Sequence, residues 1–218
     1  MAYLLLKLGM STMAISRELE VCYKTAYYTA RRILQQAEFF RSMFRAFPPI
    51  EVDKVYQNAG TKGFKKRSKR RELKAKGRGT YLTECVPVFT IVSRTSKTTI
   101  FVARFSADAS EIKRRVLPFL GLRGSAIANA LRSYSLAFFD YKHSVVNRKS
   151  SRLLRILHTN HCESRNLCFR IFMAPRRSVP KVYFDLYAIG ATFYANFYSA
   201  GPCVALTALC FMLVGEVL

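Results

Sequence analysis

Asp53 and Glu163 are the two acids whose surroundings best suit chemistry in this sequence. Acids are scarce, with 13 Asp and Glu against 36 Lys and Arg, for a net charge of +23. Cutting or joining a phosphodiester needs an activated oxygen nucleophile and a stabilised leaving oxygen, which two Mg²⁺ ions about 4 Å apart can supply. Magnesium is a hard cation that prefers carboxylate oxygens, so such a centre needs two or three acids gathered from distant segments. Asp53 falls in an expected strand close to Val52 and Val55, an odd place for a charge without a purpose. A strand-edge carboxylate paired with an arginine is its structural alternative. Glu163 follows His158-Thr159-Asn160-His161-Cys162 at an expected helix start, where an acid also suits the helix dipole. The group His158, His161, Cys162 and Cys168 matches no common zinc-site spacing, and its histidines are better suited to polarising phosphates. No GxxxxGK[ST] loop and no GxSxG elbow occurs, which argues against an ATPase and a serine hydrolase.

These acids must be carried by the elements around them. Residues 1–46 read as helical. Ser11 is placed to cap a helix through Leu19, a short turn follows at Glu20-Val21-Cys22, and a second helix runs from Tyr23 to Gln36. That is the layout of a helix-turn-helix, with Lys24, Thr25, Tyr28, Arg31 and Arg32 as a polar, basic face suited to phosphates and base edges. A plain helical hairpin with a solvated basic side fits the pattern equally well. Pro48-Pro49 ends this region, and Ile50 to Tyr56 reads as a strand with Val52 between Glu51 and Asp53. From Lys62 to Arg78 the chain holds ten Lys or Arg and a single acid, Glu72. The run includes Lys65, Lys66, Arg67, Lys69, Arg70 and Arg71, and reads as an exposed loop gripping a phosphate backbone. Cys85–Ser93 and Thr98–Arg104 read as a hairpin, Ala109–Leu120 as a helix, and Ser125–Ala128 as a brief strand. An irregular segment, a helix from about Glu163 to Phe172 and an apolar helix from about Val182 complete a mixed α/β order.

The charge balance points to a polyanion as partner, nucleic acid above all, with an anionic membrane surface as the rival. Six cysteines without a CxxC pair, and no secretion signal, read as free thiols in a reducing cytoplasm. From Leu186 to Gly215 no charged side chain occurs, longer than the ~20 residues a membrane helix needs. Gly190, Asn196, Gly201 and Pro202 interrupt the stretch, which favours a buried core helix followed by an apolar tail.

Several short segments resemble prokaryotic insertion-sequence transposases of the DDE type, with an ISXO-like DDE domain. Gly9-Met10-Ser11, Ile15-Ser16-Arg17-Glu18-Leu19 and Val21-Cys22-Tyr23-Lys24-Thr25-Ala26 resemble their N-terminal helix-turn-helix. Ile50-Glu51-Val52-Asp53 resembles the strand bearing the first catalytic aspartate. Asn129-Ala130-Leu131-Arg132-Ser133-Tyr134 resembles the segment of the second aspartate, and His143–Asn147 the stretch after it. His158–Ser164 resembles the segment of the third acid, Glu163, with Arg170 where the family keeps a Lys or Arg. The resemblance covers roughly residues 9 to 198, and the 33 residues between positions 129 and 163 fit the usual DDE spacing.

The resemblance implies an α/β fold: a ribonuclease-H-like mixed sheet core, its acids on neighbouring elements, with an N-terminal helix-turn-helix and a C-terminal apolar helix. It divides the chain into a DNA-binding region at 1–46, a transposase core at 47–198 and an apolar tail at 199–218. It further implies a metal site at positions 53, 129 and 163 holding Mg²⁺ or Mn²⁺, no small-molecule cofactor, binding to terminal inverted repeats in double-stranded DNA, strand cleavage and transfer, a homo-oligomer pairing two ends, and a cytoplasmic setting. Arg170 would lie near the scissile phosphate. The sequence departs from the family in Asn129 for the second Asp, Lys54 after the first, Arg148 for a frequent His, and Glu20 at a turn position usually given to glycine. The loss of an anionic ligand at 129 predicts an impaired or inactive, degenerate copy. The alternative is a non-enzymatic helix-turn-helix DNA-binding protein.

Overall fold

The runs of β-branched and aromatic residues at Ile50–Asn58, Cys85–Ser93 and Thr99–Ala103 form β1, β2 and β3 of a five-stranded mixed sheet. The computed structural model describes residues 10–60, 85–104, 106, 108–121, 124–129, 141–146, 159–176 and 179–197. β4 (Ser125–Asn129) and β5 (Lys142–Val146) complete the sheet in the order β3-β2-β1-β4-β5. β1 pairs antiparallel with β2, and β2 with β3, whereas β4 runs parallel to both β1 and β5. Among the described residues the α-helices are α1 (Thr12–Glu18), α2 (Tyr23–Met43), α3 (Ala109–Arg115), α4 (Asn160–Met173) and α5 (Phe184–Phe197). The chain is thus mixed α/β.

Alternation along the strands separates two cores. Ile50 and Val52 of β1, Ala126 and Ala128 of β4, and Phe89, Ile91, Ile100 and Val102 of the hairpin pack with Ile112 of α3 and Val116 at its C-terminal end. On the other face, Val55, Val88 and Phe101 meet Phe169, Phe172 and Met173 of α4 and Phe184 and Ala188 of α5. Both faces being covered, β2 and β3 are buried along their whole lengths. A further layer follows, in which Ala37 of α2 packs against Ile189 and Phe193 of α5. α1 lies against α2 through Ile15, Ala26 and Ala30.

α5, whose one charged residue is Asp185 in its first turn, has a specific task. It lies along β3, the sheet edge, where outward-facing backbone groups need partners. Side chains spaced seven and four residues apart supply them: Asp185 accepts from the Ala103 N–H at 3.1 Å, Thr192 from Phe101 at 2.9 Å and Asn196 from Thr99 at 2.9 Å. Asn196 also donates to the Thr99 carbonyl at 2.6 Å. Among the described residues no helix is long and apolar enough to cross a membrane. The apolar tail lies outside the described residues.

Several boundaries differ from the sequence expectation. α2 runs on to Met43 rather than ending at Gln36, because Ala37 and Arg41 continue its contacts with α5. The expected helix at 109–120 is α3 followed by a separate 3-10 turn at Leu117–Phe119, where Pro118 cannot donate to the α-helical ladder. β5 lies within the segment read as irregular. α4 begins at Asn160, so Glu163 occupies its first turn rather than its first residue.

Candidate functional site

β1 alternates its side chains, so Glu51 and Asp53 share the face opposite Val52, and that face is covered by α4. Asp53 is buried, and its Oδ2 accepts from the Asn166 amide Nδ2 at 3.1 Å. The Asn166 Oδ1 in turn accepts from the Thr90 hydroxyl at 2.5 Å, which ties β2, α4 and β1 into one chain of hydrogen bonds. Glu51 is completely buried. Its Oε2 accepts from the backbone N–H of His161 at 3.1 Å and of Cys162 at 3.2 Å. Its Oε1 lies 2.8 Å from the His161 ring Nδ1 and 2.7 Å from the Arg94 Nε. The first N–H groups of a helix have no partner within it, and the positive end of the helix dipole suits a carboxylate there.

The register brings the other expected positions to the same region. Val52 pairs with Ala128, and Asp53 and Asn129 each lie one residue further along these parallel strands. Asn129 ends β4, level with Val146 of β5. Glu163 stands in the first turn of α4, exposed, three residues before Asn166 and so on the same flank of the helix. Arg170 is exposed in the last turn, about 10 Å further along the axis on the Glu163 side. Lys54 is half-buried, with its ammonium 5.3 Å from the centre of the Tyr56 ring.

A pair of Mg²⁺ ions would call for two or three carboxylates at these positions. Asp53 and Glu163 contribute carboxylates, position 129 can offer only an amide, and among the described residues no three His, Cys, Asp or Glu gather as a metal-binding group. His161 and Cys162 are committed elsewhere: the ring to Glu51, the thiol to the Thr90 carbonyl at 3.5 Å. Burial pushes the Cys162 thiol well above its ordinary pKa, and the Glu51 and Asp53 charges push it further the same way. His158 lies outside the described residues.

The basic face of α2 is divided. Lys24, Thr25, Tyr28 and Arg32 are exposed, and positions 24, 28 and 32 follow one another at the spacing of a single helix face. Arg31 instead is half-buried, its guanidinium 5.1 Å from the centre of the Tyr183 ring. Between α1 and α2 the Ser16 hydroxyl donates to the Val21 carbonyl at 2.6 Å, and Glu20 takes a left-handed φ of 53°. Ser11 caps α1, accepting from the Ala14 N–H at 3.2 Å. The basic residues Lys65, Lys66, Arg67, Lys69, Arg70 and Arg71 lie outside the described residues.

Sequence reasoning singled out Asp53 and Glu163 but gave no role to Glu51, Thr90, Arg94 or Asn166. For Glu51 a signal existed: a second acid two residues from the first must share its face of the strand. Nothing in the local pattern around Asn166 or Thr90 announced a contact spanning 76 residues.

No family model matches the chain. It is similar to an "Uncharacterized protein in transposable element ISH50" from Halobacterium salinarum, with 27% identity over 184 residues. The match takes in 82% of this chain and 62% of that protein, so the chain spans less than two thirds of its relative's length. The similarity relates the chain to a transposable-element protein.

Proposed function

We propose that the chain is an insertion-sequence transposase derivative of the DDE type that binds DNA and whose strand-cleavage centre is incomplete. The observation that carries the reading is the meeting of Asp53 on β1, position 129 at the end of the parallel neighbour β4, and an α4 that carries Glu163 and is docked on β1 through Asn166. A central mixed sheet with its acids on neighbouring elements is what a ribonuclease-H-like core requires. The similarity to a transposable-element protein supports the same assignment. Asn129 is what leaves the centre incomplete, since an amide can touch a cation but adds no negative charge to hold two.

A second reading is favoured by the exposed Lys24, Thr25, Tyr28 and Arg32 on α2: DNA binding through a helix-turn-helix is the whole function, and the α/β part is its scaffold. Both readings require DNA binding that weakens steeply with salt, because each phosphate neutralised releases counterions. The test is the purified chain with duplex DNA carrying the element's terminal repeats, titrated at several salt concentrations and incubated with Mg²⁺ or Mn²⁺. Salt-sensitive binding without cleavage is expected. Robust cleavage by the wild-type chain would contradict the incomplete centre, and salt-insensitive or absent binding would contradict both readings.

A further inference from the structure

Glu51 meets four donors that come from outside its own strand. Two are the His161 and Cys162 N–H groups of the first turn of α4, one is the His161 ring and one is Arg94, at the turn that follows β2. A carboxylate that is completely buried gives up its hydration, and only such a set of donors offsets that loss. Two residues further along β1, Asp53 accepts from Asn166, one helical turn beyond Cys162. The spacings agree: two strand residues advance about 6.7 Å and four helical residues about 6 Å. Alternate acids of β1 therefore hold successive turns of α4.

We infer that Glu51 is a positioning residue: it seats the first turn of α4 on β1 and thereby sets where Glu163 stands relative to Asp53. Asp53 holds the next turn through Asn166, and Thr90 keeps that amide oriented. Arg94 balances the Glu51 charge at Oε1, the oxygen that also meets the His161 ring. What Glu163 does once seated rests on the transposase reading, but the seating itself does not, and it involves neither metal nor DNA.

The test is amide hydrogen exchange on the full chain in EDTA without DNA, comparing wild type with Glu51→Ala and Glu51→Gln. Glu51→Ala is expected to speed exchange at His161, Cys162 and the following residues to Asn166 by about tenfold, the equivalent of a lost helix cap. The amides of Phe169–Met173 and of β1 and β2 accelerate by a smaller factor, that of the loss in overall stability measured for the same chain by urea denaturation. Glu51→Gln, which keeps an acceptor oxygen, gives a smaller acceleration over the same residues, and it carries the comparison if the alanine chain does not fold. Unchanged exchange in the first turn would overturn the inference. So would an acceleration over the sheet as large as that in the first turn, which would mark loss of overall stability alone, or a glutamine chain as loose as the alanine chain. Cleavage results leave this outcome untouched, so the seating of α4 and the transposase reading can fail separately.

Discussion

Asp185→Ala should destabilise the chain by about 3 kcal/mol at neutral pH. Asp185, in the first turn of α5, accepts from both Arg41 terminal nitrogens at 2.8 and 3.1 Å and from Arg104 at 2.9 Å. It also accepts from the Ala103 N–H on the sheet edge at 3.1 Å. One side chain thus joins α2, α5 and β3. The Arg41 side chain is only 4% exposed, and its other acid, Glu38, is 56% exposed and poorly placed to replace Asp185. Stranding one member of a buried pair costs about 3–5 kcal/mol. Asp185 is itself 30% exposed, so water reaches the vacated site and the lower end applies. Asp185→Asn keeps one acceptor and should cost about 1–2 kcal/mol. The sign with pH follows from the direction of the shift. Burial alone would raise the Asp185 pKa, but the Arg41 hydrogen bond and charge, joined by Arg104, outweigh it and hold the group below its ordinary value. The stabilisation is therefore complete above the unfolded pKa of about 3.9 and is lost as pH falls through the lower folded value. Urea denaturation of wild type and Asp185→Ala at a series of pH values reads both effects. A gap below about 1 kcal/mol at neutral pH, or one that widens in acid, would refute the reasoning.

Two further outcomes follow from single residues. Glu20→Gly should raise stability by about 0.5–1 kcal/mol in the same denaturation assay, because Glu20 holds a φ of 53° that glycine adopts without strain; a loss of stability would mean that the Glu20 side chain contributes more than its backbone costs. In native-state alkylation followed by mass spectrometry, Cys22 should label fastest and Cys162 slowest of the four described cysteines. The exposed Cys22 thiol lies 3.1 Å from the Thr25 hydroxyl, whose hydrogen bond lowers its pKa, whereas burial raises that of Cys162. Thr25→Val should slow the labelling of Cys22, and equal rates at the two cysteines would contradict the burial of Cys162.

What could be read from the sequence was what local periodicity controls. β1 and the β2–β3 hairpin announced themselves through dense β-branched and aromatic runs, and Ser11 and Tyr23 marked the starts of α1 and α2. Glu20 was recognisable as a residue in a glycine position, and its left-handed φ agrees. β5 was illegible because Lys-His-Ser-Val-Val is short and opens on polar residues; its strand state comes from pairing with β4. The uncharged stretch beginning at Leu186 resembled a membrane segment because its polar members, Thr192 and Asn196, serve the edge of β3, and that service exists only in the folded chain. The site divides in the same way. Asp53 stood out as a charge inside a strand, whereas Asn166 and Arg94 matter through contacts 113 and 43 residues away. The docking of α4 places Asn166 and the β1–β2 pairing places Arg94, and no local pattern encodes either.

The most direct test of the proposed incomplete centre is cleavage of DNA carrying terminal repeats in Mn²⁺ or Mg²⁺, with wild type beside Asn129→Asp. Position 129 lies one residue beyond the Val52–Ala128 pair, as Asp53 does on β1, and the substitution restores a carboxylate to it. The account predicts cleavage by Asn129→Asp and none by wild type, with activity lost again in the Asn129→Asp chain when Asp53 or Glu163 is changed to alanine. Cleavage by wild type, or by Asn129→Asp regardless of Asp53 and Glu163, would contradict it.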